Sequence, residues 1–180
     1  MIVLDIPARD LFNEATFEFI KTPACTLKLE HSLLSISKWE SKWHKSLINN
    51  IRQLTPEEFI SYIKCMTLNQ VPDDNIYTGL NEKALKQIVD YINNPMTAST
   101  VRDDGRRGGG QYITSELVYY WMTVHNIPFE CEKWHFNRLM MLIRICNAKN
   151  QPSKKMSKGA IMKRNKALND ARRAQLNSKG

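Results

Sequence analysis

No stretch of this sequence approaches the ~18 to 20 consecutive apolar residues that a membrane span requires. Its opening, Met1-Ile2-Val3-Leu4-Asp5-Ile6-Pro7, has neither the basic start nor the apolar length of a secretory signal. The chain is therefore expected to stay where it is made. Cysteine is scarce: Cys25, Cys65, Cys131 and Cys146 lie far apart in apolar or helical contexts, the pattern of buried thiols in a reducing compartment rather than of a disulfide framework. Enzyme signatures are missing as well. There is no phosphate-binding glycine loop ending in Gly-Lys-Ser/Thr, no dinucleotide fingerprint, no His-Glu-x-x-His and no Cys-x-x-Cys. A catalytic centre and a cofactor are not expected.

What is present is globular. Of the 180 residues, 42% are apolar and 24% charged, with four tryptophans and six phenylalanines, enough to build one core. The net charge of +8 is uneven. Residues 151–180 hold nine of the 26 basic residues and one of the 18 acidic ones, which leaves 17 of each sign elsewhere. The composition predicts a single neutral domain over residues 1–150 and a basic arm over 151–180.

Periodicity assigns the elements. Thr16–Ile20 and Thr26–Glu30 alternate apolar and polar residues on either side of Pro23, which predicts a short N-terminal β-hairpin. From Ser32 the period becomes helical, with Ile36, Trp39, Trp43 and Leu47 on one face. Thr55-Pro56-Glu57-Glu58 is a capping box with proline in the first turn, opening a helix through Phe59, Ile63 and Met66. Asn81 caps another helix with Leu85, Ile88, Val89 and Ile92 inward, ending at Asn93-Asn94-Pro95. Four glycines among the charges of Arg102–Gly110 predict a mobile loop. A helix from Thr114 or Ser115 to about His125 is expected to face Leu117, Tyr120, Trp121 and Val124 inward. The next, from Glu130 to about Ala148, would use Trp134, Leu139, Leu142, Ile143 and Cys146. Beyond Pro152, helix formers run from Ala160 to Gln175 behind a capping Ser157. The fold class is mainly α, a helical domain with a short β-hairpin and a basic, helical C-terminal arm.

Several residues invite chemistry. Cys131 and His135, four apart, would sit side by side on a helix as two metal ligands, but nothing nominates another two, so no metal site is expected. Trp39 and Trp43 suit a core stripe better than a partner-binding platform. In Tyr119-Tyr120-Trp121 one tyrosine should look outward and mark an interface. The arm offers Lys154, Lys155, Lys158, Ile161, Lys163, Arg164, Leu168, Arg172 and Arg173 to a partner. With no aromatic to stack on bases, docking on an acidic protein surface ranks ahead of nucleic acid binding, and that ahead of a purely solvated tail.

A set of segments resembles one protein family. These are Leu29-Glu30-His31-Ser32-Leu33, Ser35-Ile36-Ser37-Lys38-Trp39-Glu40-Ser41-Lys42-Trp43, Tyr62-Ile63-Lys64-Cys65-Met66-Thr67 and Asn94-Pro95-Met96-Thr97-Ala98. They continue with Ile127-Pro128-Phe129-Glu130-Cys131-Glu132-Lys133-Trp134-His135, Asn137-Arg138-Leu139, Asn147-Ala148-Lys149-Asn150-Gln151-Pro152 and Arg164-Asn165-Lys166-Ala167-Leu168-Asn169. Together they resemble the tail assembly chaperones or minor tail proteins of long-tailed bacteriophages. The resemblance implies a partner-binding, non-enzymatic protein of the host cytoplasm that keeps the tape measure protein soluble and helps tail tube subunits assemble. It is also compatible with a structural protein of the virion tail, and with self-association. A small basic nucleic-acid-binding protein is the remaining alternative.

Overall fold

The computed structural model describes residues 1–13, 17–100, 112–150 and 157–177. The expected loop at 102–110 and the arm residues Lys154 and Lys155 lie outside the described residues. The chain divides into two compact units, Met1–Asn147 and Ala148–Gly180. The fold is mainly α, with seven α-helices and a small antiparallel sheet at the N-terminus among the described residues. No helix among them is long and apolar enough to cross a membrane.

The first unit opens with strands β1 (Ile2–Ile6), β2 (Arg9–Asn13), β3 (Glu18–Thr22) and β4 (Cys25–Leu29). The two segments expected to pair with each other are instead both on the returning side. β3 pairs with β2, and β4 pairs with β1. The register runs without a slip from Ile2↔Leu29 to Asn13↔Glu18, so this is one long hairpin interrupted once. The interruption falls at Pro7-Ala8 and Pro23-Ala24, because proline cannot donate to the ladder. Leu4 and Ile6 on β1, and Leu27 and Leu29 on β4, are buried, while Val3, Asp5, Thr26 and Lys28 face solvent. The ribbon thus lays one apolar face on the helices.

Helix α1 (Leu33–Trp43) begins at a capping box in which the Ser35 N–H donates to the Ser32 hydroxyl at 3.2 Å and the Ser32 N–H donates to Ser35 at 2.9 Å. Ile36 and Trp39 are fully buried, and the Trp39 indole donates to the Glu58 carbonyl at 2.9 Å. Trp43 is half-buried, stacked on Trp39 with ring centres 6.0 Å apart, and donates to the Ser61 hydroxyl at 3.0 Å. Leu47 does not share this helix. His44 turns left-handed at φ 53°, and Leu47 starts a short α2 (Leu47–Asn50).

The expected cap of α3 (Pro56–Met66) forms in full. The Glu58 N–H donates to the Thr55 hydroxyl at 3.2 Å, and the Thr55 N–H donates back to the Glu58 carboxylate at 2.9 Å. Tyr62, Ile63 and Met66 go into the core. Helix α4 (Glu82–Asn93) is capped by Asn81, whose side chain accepts the Ala84 N–H at 2.8 Å. Its inward face is Ala84, Ile88, Tyr91 and Ile92, whereas Leu85 is half-buried and Val89 exposed.

Helix α5 (Ser115–Val124) is rotated relative to the expected face. Val118 and Met122 are buried, while Tyr120 is 61% and Val124 53% exposed. Tyr120 is the outward tyrosine of its run, and Tyr119 packs toward the next segment, donating to the Glu132 carboxylate at 2.7 Å. The single helix expected from Glu130 is two pieces. A 3-10 turn at Phe129–Lys133 stops at an extended Trp134, and α6 (Phe136–Asn150) starts anew. The break is enforced by an antiparallel bridge between Ser32 and His135, with the Phe136 N–H donating to the His31 carbonyl at 2.7 Å. Trp134 consequently stays partly exposed under the Arg138 guanidinium, 4.4 Å from its ring centre. Phe136, Leu139 and Ile143 supply the buried face of α6.

The second unit contains α7 (Lys158–Leu176), 19 residues capped by the Ser157 hydroxyl at its start and by left-handed Asn177 at its end.

Candidate functional site

The residues nominated for partner binding and described by the structure, Lys158, Ile161, Lys163, Arg164, Leu168, Arg172 and Arg173, all lie on α7. Every residue of this helix is exposed. At about 100° per residue, Lys158, Lys163, Lys166, Arg172 and Arg173 fall on one side. Ala160, Ile161, Ala167, Leu168, Ala171 and Ala174 fall on the other, with Arg164 among them. A helix whose residues are all exposed gains little from packing, and what holds it is its caps and its alanines. The arrangement suits a second helix laid along the Ala-Leu stripe while the basic edge meets acidic groups.

The body holds a buried polar cluster that periodicity did not nominate. His31 lies two residues past β4, in the turn into α1, and is 3% exposed. Its Nδ1 shares a 2.5 Å hydrogen bond with the Tyr62 hydroxyl. The His135 ring lies 5.2 Å away, centre to centre, and hydrogen-bonds the Tyr91 carbonyl at 3.0 Å through Nε2. The Tyr91 hydroxyl in turn donates to Glu30 at 2.5 Å. Burial, with His135 adding to it, pulls the His31 pKa down to about 3, and burial also lowers that of His135. Burial pushes the Tyr62 and Tyr91 phenols up. Both imidazoles are therefore neutral and both phenols protonated at neutral pH, the Glu30 carboxylate is paired with the Met1 ammonium at 2.7 Å, and the cluster joins β4, α1, α3, α4 and the start of α6.

A second buried group is Glu40. One carboxylate oxygen accepts the Leu47 N–H at 2.9 Å and the other the Ser115 N–H at 2.7 Å. These are the first N–H groups of α2 and α5, which no helix can satisfy internally. One side chain of α1 thereby anchors two helix starts.

Cys131, which helical spacing would set beside His135, is buried in the 3-10 turn, and the extended Trp134 takes His135 off the shared helical face. All four cysteines are free thiols, and burial raises the pKa of Cys65 and Cys131. Among the described residues no group of three or more His, Cys, Asp or Glu is placed to hold a metal ion.

Two surfaces of the body stand open. Near the outer end of the hairpin, Phe12, Phe17 and Phe19 cluster in solvent, Phe12 lying 6.3 Å from Phe17 and 5.1 Å from Phe19. Between β1 and α4 runs a groove of about 670 Å³. Comparison of the chain with protein-family models, with curated proteins and with solved structures finds no match.

Proposed function

We propose that this protein is a non-enzymatic assembly chaperone for the tail of a long-tailed bacteriophage, acting in the host cytoplasm on the tape measure protein, tail tube subunits or both. The observation that carries the reading is α7, a capped, basic helix whose Ala-Leu stripe is exposed. Ile161 and Leu168, 38% and 49% exposed, each forgo about 1 kcal/mol of burial, which a partner helix would recover. The sequence resemblance supplies the identity of that partner. Nucleic acid alone would use the basic side of α7 and leave the stripe uncovered. A structural virion role would use the same surface, and it differs in that the protein would remain in finished particles.

The test is co-expression with the products of adjacent genes, using the full chain and a chain truncated after Asn150. The full chain is expected to recover a long, helix-rich phage protein in soluble form, and the truncated chain to fold with the same thermal midpoint but to lose that client. Equal solubilisation by the truncated chain would refute the role of α7. Binding to duplex DNA that weakens steeply with salt would move the reading to nucleic acid.

A further inference from the structure

The 670 Å³ groove beside β1 is within the range of clefts that take ligands, roughly 300–1,000 Å³. Its character follows from how β4 is used. On the far side of β4, the Lys28 carbonyl accepts the Leu68 N–H at 2.8 Å, the Lys28 N–H donates to the Asn69 side chain at 2.9 Å, and the Thr26 carbonyl accepts from Asn69 at 2.9 Å. Backbone direction alternates along an antiparallel strand, so Cys25, Leu27 and Leu29 must face β1. Their partners Ile6, Leu4 and Ile2 face back. Val3 and Asp5 are then turned the other way, and each presents both an N–H and a C=O to the groove. No protein group among the described residues pairs with this edge.

The opposite wall is α4, which contributes Lys83, Ala84, Gln87, Asp90 and Tyr91 at helical spacing, followed by its C-cap Asn94. Its direction relative to β1 is fixed by two contacts. Arg9, beyond the end of β1, donates to the Gly79 carbonyl at 3.4 Å just before α4 starts, while Tyr91 in its last turn donates to Glu30 beyond the end of β4. The groove therefore carries Arg9 and Lys83 at one end, where the one carboxylate, Asp5, is held by the Thr26 hydroxyl at 2.8 Å, and Asp90 toward the other.

The geometry points to a strand-addition site: the β1 to α4 groove binds an extended segment of a partner protein, antiparallel to β1, with an acidic residue at its N-terminal end and a basic one at its C-terminal end. An open strand edge is satisfied by another backbone, and the antiparallel sense lets one strand exchange both bonds with Val3 and with Asp5. In that sense the incoming N-terminal end meets Arg9 and Lys83 and its C-terminal end meets Asp90, which sets the charge order. The five residues of β1 span about 17 Å, so a peptide of about eight residues covers the groove and both charged ends. This site lies on the body and does not depend on α7.

The probe is a fluorescein-labelled peptide of alternating valine and threonine, aspartate at its N-terminal end and lysine at its C-terminal end, titrated with the full chain by anisotropy. Saturable binding is expected, weakened about tenfold or more when the charged ends are exchanged or when the backbone amides that would face β1 are methylated. Val3→Pro removes an N–H that the hairpin does not use, and is expected to weaken binding by a similar factor with little change in thermal midpoint. Should that variant fail to fold, Gln87→Trp fills the groove from the exposed wall of α4 and tests the same point. In the free protein the Val3 and Asp5 amides are expected to exchange rapidly with deuterium while Leu4 is protected, and the peptide slows both. Absence of saturable binding up to millimolar protein, indifference to backbone methylation, or unchanged affinity in both variants overturns the proposal. So does a concentration-dependent dimer that Val3→Pro dissociates, since the edge would then belong to a second copy. The chaperone reading fails by a separate result, recovery of no phage client by the full chain on co-expression.

Discussion

Moderate acid should destabilise the body through His31, by an amount its burial sets. In the unfolded chain this imidazole takes its proton near pH 6.5, but in the folded protein only near pH 3. Between those values the unfolded state binds more protons, so stability falls as pH falls. One pKa unit is worth about 1.4 kcal/mol, which makes the full loss about 5 kcal/mol below pH 3 and the loss at pH 5 about 2 kcal/mol. Against a typical domain stability of about 5 to 15 kcal/mol, the smaller figure is already measurable. His135, also lowered by burial and 5.2 Å away, acts in the same direction. Glu58 is a carboxylate held below its usual range by the Lys45 ammonium, so its contribution is retained until the pH drops under about 4.5. The interval from pH 7 to pH 5 therefore isolates the histidines. The assay is urea unfolding followed by tryptophan fluorescence at both ends of that interval, on the native chain and on His31→Gln. The native chain should lose about 2 kcal/mol more than the variant. An equal loss in the two would refute the assignment of His31 as a buried neutral imidazole, and His135→Gln repeats the test at the neighbouring ring.

Glu40→Ala strands the first N–H groups of α2 and α5 in a buried site, and should cost about 2 to 5 kcal/mol, read as a drop in the urea midpoint with lost exchange protection at Leu47 and Ser115. Gly159 sits in the first turn of α7 with open space where a Cβ would go, so Gly159→Ala should raise the helicity of a synthetic peptide spanning residues 157–177 by up to about 1 kcal/mol, while Ser157→Ala lowers it. Unchanged circular dichroism in both peptides would mean that the arm is not helical on its own.

Helices with a local signature were legible from residue order alone. Thr55 with Glu58, Asn81 and Ser157 each place an oxygen acceptor where the first turn needs one, and each forms the cap its position implies. The stripes were less secure, because a hydrophobic face at helical period says which residues are apolar and not which neighbour they meet. On α5 the structure buries Val118 and Met122 and leaves Tyr120 and Val124 in solvent, a rotation that depends on how α1 lies against it. The N-terminal hairpin shows the same limit in strands. Both returning segments were visible by alternation, but their partners sit in Ile2–Asn13, and pairing over that separation is decided by the turn and the core rather than by local pattern.

The polar interior was illegible for a further reason. Glu30-His31, Tyr62, Tyr91 and His135 come from four places in the chain, and nothing in the spacing of those four relates them. Their association follows from the bridge between Ser32 and His135, which also ends the 3-10 turn and splits what reads as one helix into two. The contrast with α7 is instructive for function. A basic arm is announced by composition because a charge count needs no tertiary contact to be read. A strand edge such as that of β1 exists only once β4 has spent its other side on residues 66–69, so a site of that kind emerges from tertiary structure and is found by following where each backbone N–H and C=O goes.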